Sequence, residues 1–242
     1  MQIKLGVNID HIATLRQARG IGSPDIVLAA KICLLLGAQY IVMHIRRDRR
    51  HMQESDLEKL TKFAKKHIHL EMAATKEMVE MALKYKPYSV CLVPEYPNEI
   101  TTSGGLNLDA KHTAALYSAV KKLQAGGVKV SLFINPTPND VRAAKRLKAD
   151  IVELCTKDYS EAKTVKQHQA LLEDISMSSV LAKELGLEVH SGHGLDYQNV
   201  GKVARVDGME CLNIGFSIVS RAVFVGLPQA LLEMKTLISP RS

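Results

Sequence analysis

The feature that most constrains this chain is an alternation. Eight short apolar stretches occur, and each is followed by a segment whose apolar residues fall at helical spacing. The stretches are 3–8, 40–45, 68–73, 89–94, 128–134, 150–155, 187–191 and 211–215. Strand then helix, repeated, demands parallel strands with crossover helices. An open doubly wound sheet uses the same units, but eight of them in 242 residues favour closure into a (β/α)8 TIM barrel, a single domain over 1–242.

Between the strands, the first loop is expected to run to Pro24, before a helix from Ile26 to Leu36 stopped by Gly37. Thr75 and Asp109 read as N-caps, and Thr137-Pro138 as a cap and first turn. Ser160 to Leu185 is long for one helix and can break into two, and Pro228 starts a final helix reaching Ile238. The polar segment 95–108 is long for a compact domain and reads as a lid or binding loop, with Gly104-Gly105 as its hinge.

Composition adds limits. The chain is 46% hydrophobic with no Trp, which predicts an aliphatic core and a barrel interior filled by branched side chains. Cys33, Cys91, Cys155 and Cys211 form no C-x-x-C pair, so buried free thiols and a reducing, cytoplasmic compartment are expected. No signal peptide and no apolar run of about 20 residues is seen, which argues against a membrane. The net charge of +7 suits anionic partners; without zinc-finger or RNA-binding motifs, phosphorylated metabolites are a more economical partner than nucleic acid.

Chemically able residues gather where the strands end. Asn8, Asp10 and His11 follow the first, His44 and Arg46 close the second, and Glu71 closes the third. Glu95 follows the fourth, Glu153 sits in the sixth and His193 follows the seventh. The C-terminal ends of barrel strands meet at one face, where barrel enzymes do chemistry. SGHGL at 191–195 and NIGFS at 213–217 lie where barrels bind phosphate, so Gly194, Gly215 and Phe216 are candidate backbone donors to an anion, with Ser217 capping a short helix. In HIRRDRRH, 44–51, not all four Arg can point inward, and Arg46 is favoured; Arg16 and Arg19 follow in the first loop. His44, Glu71, Glu153 and His193 are acid/base candidates. Glu71 and Glu153 interrupt apolar strands and need compensation, whereas His69 and His190 can simply alternate outward. No H-E-x-x-H or tight ligand spacing marks a metal site, although distant residues could assemble one.

At these residues the chain resembles the pyridoxine 5′-phosphate synthase family. The matching stretches are GVNIDHIATLRQARG at 6–20, RRDRRH at 46–51, LEMAAT at 70–75, CLVPE at 91–95, TTSGGL at 101–106, VSLFI at 130–134, GHGL at 192–195 and LNIG at 212–215. The resemblance implies a (β/α)8 barrel with additional helices, assembled as a homo-octamer of dimers. It implies condensation of 1-deoxy-D-xylulose 5-phosphate with 3-amino-2-oxopropyl phosphate to pyridoxine 5′-phosphate, phosphate and water, with no metal or organic cofactor. By position it implies His44 and Glu71 as proton acceptors, His193 as proton donor and Glu153 as a transition-state-stabilising carboxylate. Asn8, Arg19, Gly194, Gly215 and Phe216 match the site for the amino-ketone phosphate. Asp10, His11, Arg46, His51 and Thr101 match the site for the deoxyxylulose phosphate, with Thr101 on the proposed lid.

Two stretches depart from the family pattern. Phe216 stands where many members carry His, which keeps a backbone N–H but loses a side-chain hydrogen bond. TKDYSEAK, 156–163, replaces a glycine-containing version and leaves the local loop geometry open. From the residues alone, another phosphosugar-handling barrel remains open: an isomerase, or an aldolase using Lys157. So does a basic nucleic-acid-binding protein.

Overall fold

The computed structural model describes residues 2–95 and 104–239. Its elements run β1 (Lys4–Asn8), α1 (Asp10–Arg19), α2 (Ile26–Leu35), β2 (Tyr40–His44), α3 (Glu54–Ala64), β3 (Ile68–Met72), α4 (Lys76–Tyr85) and β4 (Ser89–Leu92). They continue with α5 (Ala110–Ala125), β5 (Lys129–Ile134), α6 (Pro138–Arg146), β6 (Ile151–Cys155), α7 (Lys157–Glu161), α8 (Val165–Glu184), β7 (Glu188–Gly192), α9 (Val200–Val203), β8 (Cys211–Ile214), α10 (Phe216–Val225) and α11 (Leu227–Ile238). The strands pair in parallel in sequence order and β8 returns to β1, with Leu5 opposite Leu212, so the barrel is closed. Among the described residues no helix is long and apolar enough to cross a membrane.

Local signals place the helices. Thr75 and Thr137 accept the N–H of Met78 and Asp140, and Pro138 opens α6. Asp109 holds the N-cap position of α5 without a side-chain cap bond. The segment 160–185 does break: α7 ends at Glu161, and Thr164 with Gln167 forms a capping box that starts α8. The stretch expected as the first loop is mostly helix. Asp10 sits in the first turn of α1, Arg16 and Arg19 in its last, and Gly20 follows in the left-handed conformation.

The largest departure from expectation is where the aliphatic residues go. Side chains alternate along each strand between lumen and outer face. Leu5, Val7, Ile41, Met43, Leu70, Val152 and Leu212 belong to one apolar cluster with the helices, outside the sheet. The lumen instead holds Asn8, Tyr40, His44, His69, Glu71, Ser89, Glu153, His190 and Asn213, with a small apolar patch of Cys91, Val93, Phe133 and Cys155. His69 and His190 therefore point inward, with ring centroids 5.6 Å apart. Burying such groups is costly unless they are paired. At the closed end Glu188 supplies pairing, accepting hydrogen bonds from His190 Nε2 and Lys4 Nζ at 3.3 and 2.9 Å.

Candidate active site

Strand register assembles the mouth. His44 on β2 is the ladder partner of Glu71 on β3, and His44 Nδ1 lies 4.0 Å from Glu71 Oε2. Asn8, the last residue of β1, donates through Nδ2 to the same Glu71 oxygen at 3.4 Å. Its own Oδ1 accepts the Asp10 N–H at 2.9 Å, which fixes the start of α1. Asp10 Oδ1 in turn accepts the His44 N–H at 2.8 Å. On the other side of the ring, His44 Nε2 donates to Glu95 Oε1 at 2.9 Å, and Glu95 Oε2 accepts the Arg47 N–H at 3.1 Å.

Glu153 lies deeper. Its Oε2 accepts from Asn213 Nδ2 at 2.7 Å and stands 3.6 Å from His69 Nε2. Gly192 on the adjacent strand leaves no room for a Cβ against this carboxylate. The two carboxyls are pushed in opposite directions. Burial raises Glu71 well above the carboxylate range, and the negative charges of Glu153 and Asp10 add to it. Burial also pushes Glu153 upward, but His69 and Asn213 outweigh it and hold the group below the ordinary value. Two acids whose environments push them apart can take different proton-transfer roles.

The adjoining rim, after β7 and β8, is made of glycines and a helix start. Gly215 precedes α10, whose first turn presents backbone N–H groups from Phe216 onward. A Cβ on Gly215 would sit 2.9 Å from Asn8 Cβ, so glycine lets α10 approach β1. Ser217 is not the cap: it lies inside α10 and donates to Leu195 O at 2.8 Å, tying the helix to the loop after β7. That loop is bent by His193 and Gly194, with φ +79 and +81. The departing segment 156–163 forms its bed. Thr156 Oγ1 donates to the carbonyls of Gly192 and His193, each at 2.7 Å, and Gly194 packs against Ser160 with no space for a side chain.

The remaining candidates divide. Burial lowers the pKa of His11, His51 and His193, favouring neutral imidazoles; nearby Lys157 adds to the effect at His193. The His51 ring lies 6.1 Å from His44, and His11 meets Phe216 edge-on at 5.1 Å. Arg46 is buried, whereas Arg49 and Arg50 pair with Glu77 and Asp48 and Arg47 is exposed. Arg16 bonds Asp56 at 2.6 Å. Arg19 is exposed in the last turn of α1. Thr101 and most of the loop 95–108 lie outside the described residues, while Gly105 is tied down, its N–H donating to Asn135 Oδ1 at 2.9 Å. All four Cys are buried and free, and burial pushes the Cys155 thiol up to about 11.

Asp10, His44 and Glu71 bring donor atoms within 4.8 Å of one another, as do His69, Cys91 and Glu153. The first set is bound into the mouth network, and burial holds the Cys91 thiol protonated in the second. Sequence reading names Glu95 among the strand-end residues without a role, has His69 alternating outward, and gives Asn213 no part. Their signal was position: Glu95 just past β4, and His69 and Asn213 at lumen-facing alternation with Glu71 and Cys211.

Comparisons with known proteins bear on the fold and on the family. Solved structures of similar fold include KGPDC from Streptococcus mutans, at TM-score 0.65 and 12% identity over 98% of both chains. Another is 3-hexulose-6-phosphate synthase, at TM-score 0.61 and 14% identity over 98% of this chain and 100% of the other. At those identities the likeness concerns the fold alone. In sequence, a pyridoxine 5′-phosphate synthase of Elusimicrobium minutum is 58% identical, with full coverage of both chains. One of Synechococcus is 52% identical over 96% of this chain and 97% of its own. The profile of the family described as Pyridoxal phosphate biosynthesis protein PdxJ matches residues 5–240, and the chain belongs to that family.

Proposed function

We propose that the mouth cluster carries out the reaction of this family, the condensation of 1-deoxy-D-xylulose 5-phosphate with 3-amino-2-oxopropyl phosphate to pyridoxine 5′-phosphate, phosphate and water. The observation that carries the reading is the convergence of His44, Glu71, Glu153 and Asn8 at one end of a closed barrel, beside an anion-ready helix start. Family membership displaces the isomerase, aldolase and nucleic-acid readings.

The substrate amine attacks the sugar-phosphate ketone and loses water to give an imine. Glu95 on Nε2 leaves His44 Nδ1 as the free base on the Glu71 side. Burial favours the protonated form of Glu71, so it first acts as a donor; the cationic imine then favours its ionised form and makes it an acceptor. Glu153, ionised and deeper, faces that positive charge as the stabilising group. His193 is poised neutral, takes a proton and returns it to a leaving group. Loss of phosphate, ring closure and a second dehydration give the pyridine. No metal or organic cofactor is assigned a step.

Two phosphorylated substrates need two anion sites. For the amino-ketone phosphate we assign Asn8, Arg19, Gly194, Gly215 and Phe216. For the deoxyxylulose phosphate we assign Asp10, His11, Arg46, His51 and Thr101. We also assign a homo-octamer of dimers, supported by exposed Val223 and Phe224 on α10, and a cytoplasmic location, supported by four free buried thiols. The test is a product assay with both substrates and a metal chelator. Stoichiometric pyridoxine 5′-phosphate and free phosphate are expected; well-folded protein that forms neither would refute the reading.

A further inference from the structure

We propose that His69 is a positioning residue for Glu153. Anchored by Ser89 and aided by Asn213, it fixes the carboxylate in place inside the lumen and presents Nε2 to its charge. This rests on the reading above that Glu153 stabilises positive charge on the bound intermediate.

Three observations carry it. His69 Nδ1 lies 2.6 Å from Ser89 Oγ, its ladder partner on β4, so one ring nitrogen is spoken for. The other, Nε2, is fully buried with no partner at hydrogen-bond distance, and it stands 3.6 Å from Glu153 Oε2. The ring is packed by Tyr40 and His190, at centroid distances of 6.4 and 5.6 Å, so its plane is fixed. Hydroxyl, imidazole and carboxylate in line are the groups of a hydrolytic triad. Here Ser89 is wholly buried. The relationship runs the other way: the hydroxyl holds the ring, and the ring acts on the carboxylate.

The other groups facing Glu153 do not replace His69. Burial drives His190 on β7 toward its neutral form. Cys91 on β4 and Cys211 on β8 are held as thiols by burial. His193 is also pushed toward neutrality, and Glu71 on β3 adds negative charge whenever it ionises. His69 is the first group that offsets the burial of Glu153, so removing it raises the pH at which Glu153 gives up its proton.

The test uses His69→Leu, His69→Gln and Ser89→Ala in the full-length protein. In His69→Leu we expect kcat to fall roughly tenfold to a hundredfold with KM for both substrates little changed. The acidic limb of its kcat profile should move up by about one to three pH units. His69→Gln, which keeps a donor, should recover much of kcat, and Ser89→Ala should fall between. A folded His69 variant with wild-type kcat and pH profile overturns the proposal; should His69→Leu not fold, the other two decide by the same readouts. Infrared difference spectra against Glu153→Gln report this carboxyl without turnover. A Glu153 ionised in wild type and protonated at neutral pH in a His69 variant supports the positioning role even if no pyridoxine 5′-phosphate is made. An unchanged band overturns it.

Discussion

Glu95 Oε1 lies 2.9 Å from His44 Nε2, so a carboxylate just beyond β4 decides which nitrogen of a β2 imidazole carries the proton. With Nε2–H committed, Nδ1 is left as the lone pair facing Glu71. Burial raises the Glu95 pKa, but the His44 hydrogen bond and the Arg47 N–H outweigh it, and the group stays ionised through the neutral range. Glu95→Gln offers Nε2 an amide that can donate as well as accept and removes the charge. It should lower kcat by roughly tenfold to a hundredfold while leaving the melting temperature nearly unchanged. Steady-state kinetics beside a thermal melt decide this, and wild-type kcat would show that His44 needs no such partner.

Glu71 gives a prediction in which activity and stability move in opposite directions. Its folded pKa is raised from 4.5, so the folded state binds the proton more tightly than the unfolded chain. Stability from this group therefore falls as pH rises from about 4.5 toward the raised value, then levels. Glu71→Gln mimics the protonated acid and escapes that loss. The variant should match wild type near pH 4 and exceed it increasingly above, measured as urea midpoints. Turnover should drop by about 10²–10⁴. A variant less stable than wild type at pH 7 would show that Glu71 is not held protonated.

Much of this molecule was legible because strand and helix patterns are local. Each expected strand lies within a residue or two of its place, and the break before α8 follows from the Thr164 capping box. The stretch 8–20 reads as loop after β1, yet Asp10, Arg16, Arg19 and Gly20 carry helix start and stop signals. The candidate site at the strand ends was readable because barrel topology alone brings those ends together. Which face of each strand meets the lumen was not, since the strands read as nearly continuous apolar runs. The alternation of His69 with Glu71, and of Glu188 with His190, was the available clue that the lumen is polar. Pairwise roles such as Glu95 on His44, or Ser217 on Leu195, depend on loop paths that no local pattern encodes.

Phe216 tests how the anion site works. Its ring is 68% exposed and touches His11 only edge-on, so what it offers a phosphate is the backbone N–H at the start of α10. Phe216→Ala should leave KM for 3-amino-2-oxopropyl phosphate within a few-fold of wild type. Phe216→His adds a side-chain donor that can form a charge-assisted bond and should lower that KM, by about tenfold at most. Initial rates at saturating deoxyxylulose phosphate measure both. A large rise in KM for Phe216→Ala would mean the ring itself contacts substrate.

At the closed end of the barrel, Glu188 links acid stability to the lumen. The hydrogen bond from His190, then that from Lys4, holds its pKa far below 4.5 despite burial. His190 is driven toward neutrality by burial, so charge balance at neutral pH falls to Lys4 at 2.9 Å and Lys129 at 3.8 Å. A depressed carboxylate contributes stability that is present above its unfolded pKa and is lost as pH falls toward the folded value. Glu188→Gln should therefore cost about 2 kcal/mol near pH 7, in line with hydrogen bonds to a charged group. The gap to wild type should shrink as pH drops below about 4.5, because wild type loses there what the variant never had. Urea midpoints from pH 3 to pH 8 trace it, and a gap constant across that range would assign Glu188 a packing role with no electrostatic part.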